Sequence, residues 1–426
     1  MVSEHGDDSP LIFLANFASA VTVDLGERDV VRRWSAQAPR KMWLSRPGDV
    51  LITPVPLSDA FVRYASGLLG MEHGAVDIVV APDLPDMGTG EAVGHHGLTD
   101  LLRSLAQRHP GTRLLPTILD APSVALAAAL GVPVSPFARD LISPGVVHSV
   151  TRLNTKSGFR RAAEELGIRI PEGRACEGSD LPRAVSELLA CHERVVVKAD
   201  RSAGGHGLRF LSHDDPVSVE PQRSSWVVER FVRHTKEVSV MCLAEPTGPR
   251  ILFTGEMRTR DGAFIGYRSP LCDVPDSTHR DLERWGLALG RHLGGHGYQG
   301  PYSIDALVAE DGTLYATESN VRRTATTTPH AMVTRLSGGG HGDGPQPAWL
   351  IAKRDSSVSH TFPGALKLLD AAGLSYTPGR GEGVVLYADR PAAGSEWRYA
   401  VIGSDPRRTE ELEDSLVTTL RLGGTY

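Results

Sequence analysis

Cysteine, basic blocks and long apolar runs are all scarce in this chain, and each scarcity removes a class of protein. The four cysteines among 426 residues (Cys176, Cys191, Cys242 and Cys272) stand far apart with no C-x-x-C pair. That argues against a disulfide framework or a cysteine-rich zinc site and for reduced thiols. No apolar stretch approaches the ~20 residues that span a bilayer. The opening MVSEHGDDSP is acidic where a secretion signal is basic. A cytoplasmic protein without membrane contact is expected. The formal net charge is −6, with acids and bases interspersed, so a nucleic-acid partner is not expected.

What is present is ordinary globular composition, 41% hydrophobic and 23% charged. The length calls for several domains. Short apolar runs at 11–17 (LIFLANF), 50–54 (VLITP) and 77–81 (DIVVA) alternate with helical stretches such as 98–108. This predicts a parallel α/β domain over 1–148. A second section, 149–345, opens with NTKSGFRRAAEELGIRIPEG, where Asn154 or Thr155 caps a helix to Leu166 and Gly167 ends it. A third, 346–426, reads as a small α+β domain after the glycine-rich break SGGGHGDGP.

The segment YSIDALVAEDGTLYATESN carries the strongest chemical signal. Asp311-Gly312 between two alternating runs predicts a two-residue type I′ hairpin turn. With Glu310 opposite Thr313, Asp305 falls directly across from Glu318 and Ser303 from Asn320. Side chains alternate, so Asp305, Glu318 and Asn320 share a face, extended toward the turn by Leu307 and Leu314. Two opposed carboxylates repel. A Mg²⁺ ion resolves the conflict, because it takes one or two carboxylates plus substrate phosphate oxygens. A hairpin whose acids simply face water is the competing reading, and the apolar neighbours argue against it.

The run RVVVKADRSAGGHGLRF places Lys198 at the end of an apolar strand, followed by Ser202-Ala203-Gly204-Gly205-His206-Gly207. Successive N–H groups in such a turn make an anion nest, with Lys198 as an added point charge. An ordinary flexible turn remains the alternative. The turn lacks the G-K-[ST] of a P-loop, and a strand rather than a Rossmann helix follows it. In the next strand, SWVVERFV, the backbone of Glu229, Arg230, Phe231 and Val232 is a candidate for reading an adenine edge. Glu237 is a candidate acceptor for ribose hydroxyls, or else a solvated acid.

These segments together resemble the ATP-grasp superfamily in order and spacing. Lys156 precedes the strand lysine Lys198 by 42 residues, the glycine-rich loop follows, and ERFV with Glu237 resembles the nucleotide hinge. Asp305 and Glu318-Ser319-Asn320 match the metal-binding acid and E-x-N of that family. The resemblance covers about 151–330. It implies an ATP-grasp fold with an N-terminal pre-ATP-grasp domain and a small C-terminal domain, and it implies ATP and Mg²⁺ as cofactors. It further implies phosphate contacts from Lys156 and Lys198, and a charge-stabilising arginine at Arg322 or Arg323. Ser303-Ile304-Asp305 departs from the R-x-D of D-alanine ligase-like members, which weakens that activity and leaves Arg258 and Arg268 as further candidates. ESNVRRTATTTPH, the length and the C-terminal section resemble bacterial peptide ligases of the pheganomycin-biosynthesis type. That implies joining a guanidino-bearing, nonproteinogenic acid to the amine of a peptide. A phosphotransferase or a silent nucleotide-binding module are the alternatives. His206 and His330 are the histidines nearest to a general-base role, and a homodimer is the base-rate expectation.

Overall fold

The computed structural model describes residues 9–137, 142–202, 207–217, 225–338, 346–389 and 396–423. Gly204, Gly205 and His206 lie outside them, as does most of the 337–345 break.

The first section forms the expected parallel sheet. Strands β1 (Leu11–Leu14), β2 (Val50–Thr53), β3 (Asp77–Val80) and β4 (Arg113–Pro116) lie in the order β3-β2-β1-β4. All neighbouring pairs are parallel, and β1 and β2 are buried throughout. Helices are closed by local chemistry. Asp120 and Ser123 form a reciprocal cap at Ala121–Leu130, and Gly131 ends it with φ +71°.

The second section opens with the helix Lys156–Glu165. Thr155 caps it through Oγ1, accepting from Gly158 N, and Gly167 follows with φ +65°. Gly158 is required there, since a Cβ would collide with the Arg152 carbonyl. A small antiparallel sheet comes next, from β5 (Gly173–Glu177), β6 (Arg194–Ala199), β7 (Leu208–Ser212) and β8 (Ser225–Arg230), ordered β5-β8-β6-β7. Its core includes Leu181, Val185, Val195, Val197 and Trp226.

A larger antiparallel sheet faces it. Its strands are β9 (His234–Glu245), β10 (Gly248–Arg260), β11 (Ala263–Ser269), β12 (Gly300–Ala309), β13 (Leu314–Asn320), β14 (Ala348–Asp355), β15 (Gly383–Val385) and β16 (Glu396–Gly403). They run in the order β13-β12-β9-β10-β11-β14-β16-β15. Val238, Val240, Ile304 and Ala306 share a core with Leu282, Trp285 and Leu289 of the helix Asp276–Gly295. The alternate residues of β9 and β12 face the small sheet. The C-terminal section is not a separate sheet, because β14 pairs with β11 and extends the same one.

The β12–β13 hairpin differs from its sequence pattern in two ways. Its loop has three residues, Glu310-Asp311-Gly312. Ala309 N donates to Thr313 O (2.9 Å), Gly312 N donates to Ala309 O (2.9 Å), and Gly312 has φ +80°. Asp311 Oδ1 accepts from Thr313 N at 2.9 Å, which fixes this longer turn. Beyond it, Thr317 is an extra residue on β13, where the register shifts between Asp305 and Ala306. The two one-residue departures cancel, so Asp305 still pairs with Glu318 and Ser303 with Asn320. Between them the faces invert. Leu314 pairs with Val308 and enters the core, so it does not share the face of Leu307, whose partner is Tyr315. A two-residue turn with positive φ at both positions occurs instead at Asp261-Gly262 (φ +51° and +75°), between Arg260 and Ala263.

Candidate functional site

The two sheets enclose a cleft of about 670 Å³, the size of a small-molecule site. Lys198 and Phe210 belong to the small-sheet wall, and Glu237, Met257, Asp305 and Leu307 to the large-sheet wall. The N-terminal section contributes Phe17, Trp34 and Arg40, and the C-terminal section Lys353 and Arg398. The face is set by register, since Tyr315, Leu307, Glu237, Met257, Tyr267 and Ile351 are successive cross-strand partners.

Asp305 and Glu318 lie side by side in this wall. Asn320 Nδ2 donates to Asp305 Oδ2 at 2.9 Å and Ser303 Oγ to Asp305 Oδ1 at 3.4 Å. Burial first, and then the Glu318 carboxylate, push Asp305 up to about 8. Burial also works against the charge on Glu318, but Lys156, Arg322 and Lys198 outweigh it and hold that carboxyl below its usual range. One acid is thus kept ionised by cations while its partner is short of positive charge. A divalent cation would satisfy both. Among the described residues no group of three or more His, Cys, Asp or Glu is placed to hold a metal alone. The donor set of two carboxylates and one amide fits a Mg²⁺ ion that completes its shell with phosphate oxygens and water.

Lys156 and Lys198 converge from different elements. Lys156 Nζ lies 3.2 Å from Glu318 Oε2 and donates to Ser202 O and Oγ at 3.1 and 3.0 Å. Lys198 Nζ lies 2.6 Å from Glu229 Oε2, while Glu229 Oε1 accepts from Arg160 Nη1 at 3.0 Å. Arg160 stands one helical turn after Lys156, so one helix face serves both acids. Asp200 ties that helix to β6. It accepts from Ser157 N (2.7 Å) and Ser157 Oγ (3.0 Å), and its own carbonyl accepts from Lys156 N (3.1 Å). The sequence pattern singled out neither Asp200 nor Arg160; the i,i+4 spacing of Lys156 and Arg160 was the available signal. Gly207, the described end of the glycine-rich turn, has φ +78°.

At the hinge, the amides of Arg230 and Phe231 are already used, donating to Glu172 O (2.8 Å) and Arg194 O (3.0 Å). Arg230 lies over the Tyr315 ring at 4.8 Å. The Val232 carbonyl accepts from His234 Nδ1 at 2.9 Å. Glu229 is an ion-pair centre. Glu237 reaches the cleft wall, accepting from Thr259 Oγ1 at 2.7 Å with His234 Nε2 at 3.5 Å. The hydrogen bond to Glu237 raises His234 above its ordinary value, against burial.

The four arginines separate. Arg322 lines the cleft and bonds Asn154 Oδ1, and burial lowers its affinity for its proton. Arg323 also lines the cleft, its amide donating to Thr117 O at 3.0 Å. Arg258 and Arg268 do not line it, because alternation along β10 and β11 turns them to the opposite face. Arg258 Nη1 holds both oxygens of Glu413 (2.8 and 2.9 Å), on the helix Pro406–Leu420. Arg268 pairs with Glu256 (2.8 Å) and Glu410 (2.9 Å). His330 is also away from the cleft. It packs 4.3 Å from the Phe253 ring centroid, and burial lowers it to about 4. Neither arginine and not His330 is placed for chemistry here.

Residues of the first and third sections that face the cleft, Arg40, Lys353, Tyr387 and Arg398 among them, carry no motif and come together only through the fold.

A family model described as Pre ATP-grasp domain matches residues 38–132, and one described as PGM1 C-terminal domain matches residues 364–416. Pyruvate carboxylase 1 of Caenorhabditis elegans is 25% identical over 193 residues, which is 42% of this chain and 16% of that protein's length. The structure resembles carboxyaminoimidazole ribonucleotide synthase from Aspergillus clavatus complexed with ATP, at 12% identity and TM-score 0.59, over 97% of this chain and 98% of that one. It also resembles the biotin carboxylase of Campylobacter jejuni, at 13% identity and TM-score 0.59, over 98% and 92% of the two chains. The fold is the ATP-grasp fold, with a pre-ATP-grasp domain before the core and a small C-terminal domain after it. Among the described residues no helix is long and apolar enough to cross a membrane.

Proposed function

We propose that this protein is an ATP-dependent ligase that activates a carboxylate as an acyl phosphate and joins it to an amine. The observation that carries this reading is the Asp305–Glu318 pair, one acid held ionised by Lys156 and Arg322 and the other short of a cation. Such a site suits a metal-bound triphosphate. Asp305, Glu318 and Asn320 would hold Mg²⁺, which when bound neutralises phosphate charge.

The chain's own residues position and stabilise the reacting groups. Lys156 and Lys198 bind phosphate oxygens, each exchanging part of its present carboxylate contact for them. The segment 230–232 receives the base and Glu237 the ribose. A substrate carboxylate oxygen attacks the γ-phosphorus, the bond to the β–γ bridging oxygen breaks, and ADP leaves. The amine nitrogen then attacks the acyl carbon. A C–N bond forms, the C–O bond to phosphorus breaks, and phosphate departs as the amine loses its proton. Arg322 stabilises charge on the transferred group and on the tetrahedral oxyanion. Closing the cleft keeps water from the acyl phosphate.

The finer assignment is a peptide ligase of natural-product biosynthesis, with a guanidino-bearing amino acid as the activated acid and a peptide N-terminus as the amine. It is supported by the resemblance of ESNVRRTATTTPH to such ligases. Incubation with ATP, Mg²⁺ and candidate acids, with peptide or hydroxylamine, tests it. ADP and phosphate should appear in step with amide or hydroxamate. A stable phosphorylated product without amide would make the protein a phosphotransferase instead.

A further inference from the structure

The end of the cleft away from the Asp305–Glu318 pair has a charge imbalance that nucleotide binding does not use. Arg40 lies in the 3-10 helix Ala38–Leu44 and is 1% exposed. Its guanidinium stacks 4.6 Å from the Phe17 ring centroid, and Nε and Nη2 have no hydrogen-bond partner. No acid among the described residues pairs with it, and Tyr387 is its hydrogen-bonding neighbour. A buried guanidinium without a counter-charge is expensive to keep.

Two further cations face the same space. Lys353 and Arg398 are direct cross-strand partners on β14 and β16, and both line the cleft. Like charges in that arrangement are unfavourable. Burial lowers Lys353, with Arg398 and Arg33 adding to the effect against Glu396 and Asp355. Glu396 is already engaged by Arg398 Nη2 at 2.6 Å. Arg33, Arg40, Lys353 and Arg398 therefore outnumber the acids beside them among the described residues, Glu396 and its cross-strand partner Asp355. An anion is the missing partner.

Position decides which anion. From Asp305 on β12 to Lys353 on β14 the sheet passes β9, β10 and β11. Four interstrand steps of about 4.8 Å, together with four residues along the strand because the row of Leu307 meets β14 at Ile351, separate the two by roughly 23 Å. The carboxylate that takes the phosphoryl group must sit at the metal pair and cannot reach that far. An extended peptide, at about 3.4 Å per residue, covers the distance with roughly seven residues.

We propose that this end of the cleft is a carboxylate-binding subsite, in which Arg40, Lys353 and Arg398 receive the C-terminal carboxylate of a short peptide acceptor whose N-terminal amine reaches the metal pair. The subsite rests on the ligase reading for the acceptor's role, but binding alone tests it. Protein loaded with Mg-ADP is immobilised and offered a random heptapeptide library, half as free acids and half as C-terminal amides, with retention measured by mass spectrometry. Free acids should be enriched at least tenfold. Arg40→Met and Lys353→Met should each abolish the preference, and Arg40→Lys should retain most of it. Lys353 is only partly buried, so Lys353→Met carries the test if Arg40→Met does not fold. Equal retention of acids and amides, retention of neither, or a preference that survives in Lys353→Met overturns the proposal. Hydroxamates of the retained peptides, formed with ATP and hydroxylamine, would make this the activated carboxylate and overturn its assignment to the acceptor. Enrichment without any ligation would remove the ligase reading and leave the anion subsite standing.

Discussion

Asp305 and Glu318 stand directly across from each other in the β12–β13 ladder, although the loop joining these strands is one residue longer than the sequence pattern implies. The bulge at Thr317 restores the pairing, and Thr317 Oγ1 donates to the Asp305 carbonyl at 3.1 Å. Bulges recur where a strand must aim a side chain into a site. Here the strand delivers two carboxylates to one face of the cleft.

Replacing either acid should separate stability from activity. Asp305→Asn and Glu318→Gln should each lower turnover about 100-fold or more, the scale for removing one group that stabilises transition-state charge. Circular dichroism should show an unchanged fold. The rise in melting temperature that Mg-ATP gives the unaltered protein should shrink in both, and full turnover in either would remove the metal assignment.

The same pair predicts a pH dependence. Asp305 is raised to about 8 in the folded protein from an ordinary 3.8. Between those values the folded state holds more protons than the unfolded state, so stability falls as pH rises from about 4 to about 8. Glu318 acts with opposite sign, its contribution being lost as pH falls below the usual carboxylate range. Calorimetry in metal-free buffer between pH 5 and 8.5 should show a falling melting temperature that is flatter in Asp305→Asn. A rising one would contradict the burial of this acid.

Lys198 should govern nucleotide affinity more than folding. Glu229 keeps Arg160 at 3.0 Å when Lys198 is replaced, so Lys198→Met leaves that acid paired. Mg-ATP should bind roughly tenfold or more weakly, as expected for loss of a charge-assisted contact to phosphate. Glu229→Leu should instead destabilise the protein by about 3 kcal/mol, because it strands two buried cations. Nucleotide titration and urea denaturation distinguish the two.

Arg258 and Arg322 should behave oppositely. Arg258→Met leaves Glu413 with Arg354 Nη2 at 3.2 Å and Tyr399 Oη at 2.7 Å. It should cost about 2 to 3 kcal/mol of stability, at the low end for a broken buried pair, with turnover per folded molecule little changed. Arg322→Met should lower turnover about 100-fold by the same electrostatic scale as the acids. Loss of turnover in a stable Arg258→Met would return that residue to the site.

Much of this arrangement was legible because it is local. The cap at Thr155, the end at Gly167, the parallel N-terminal strands and the alternation that puts Asp305, Glu318 and Asn320 on one face all follow from short-range rules. The inversion at Leu314 was hidden, because a longer loop and a bulge leave no mark in an alternating pattern. Arg258 and Arg268 read as candidates for stabilising charge in the site, because their partners Glu413 and Glu410 lie more than a hundred residues away. Arg40, Lys353 and Arg398 were invisible for the same reason. They meet only when the third section extends the sheet of the second and the first closes over it.

Acyl-phosphate trapping tests carboxylate activation by this protein directly. Protein, Mg-ATP and a panel of amino acids, including guanidino-bearing ones, are mixed with hydroxylamine, and ADP, phosphate and hydroxamate are quantified together. Equal amounts of all three are expected for at least one acid, with none from Asp305→Asn. Phosphorylated acid that accumulates without hydroxamate, or hydroxamate formed equally by Asp305→Asn, would contradict that expectation.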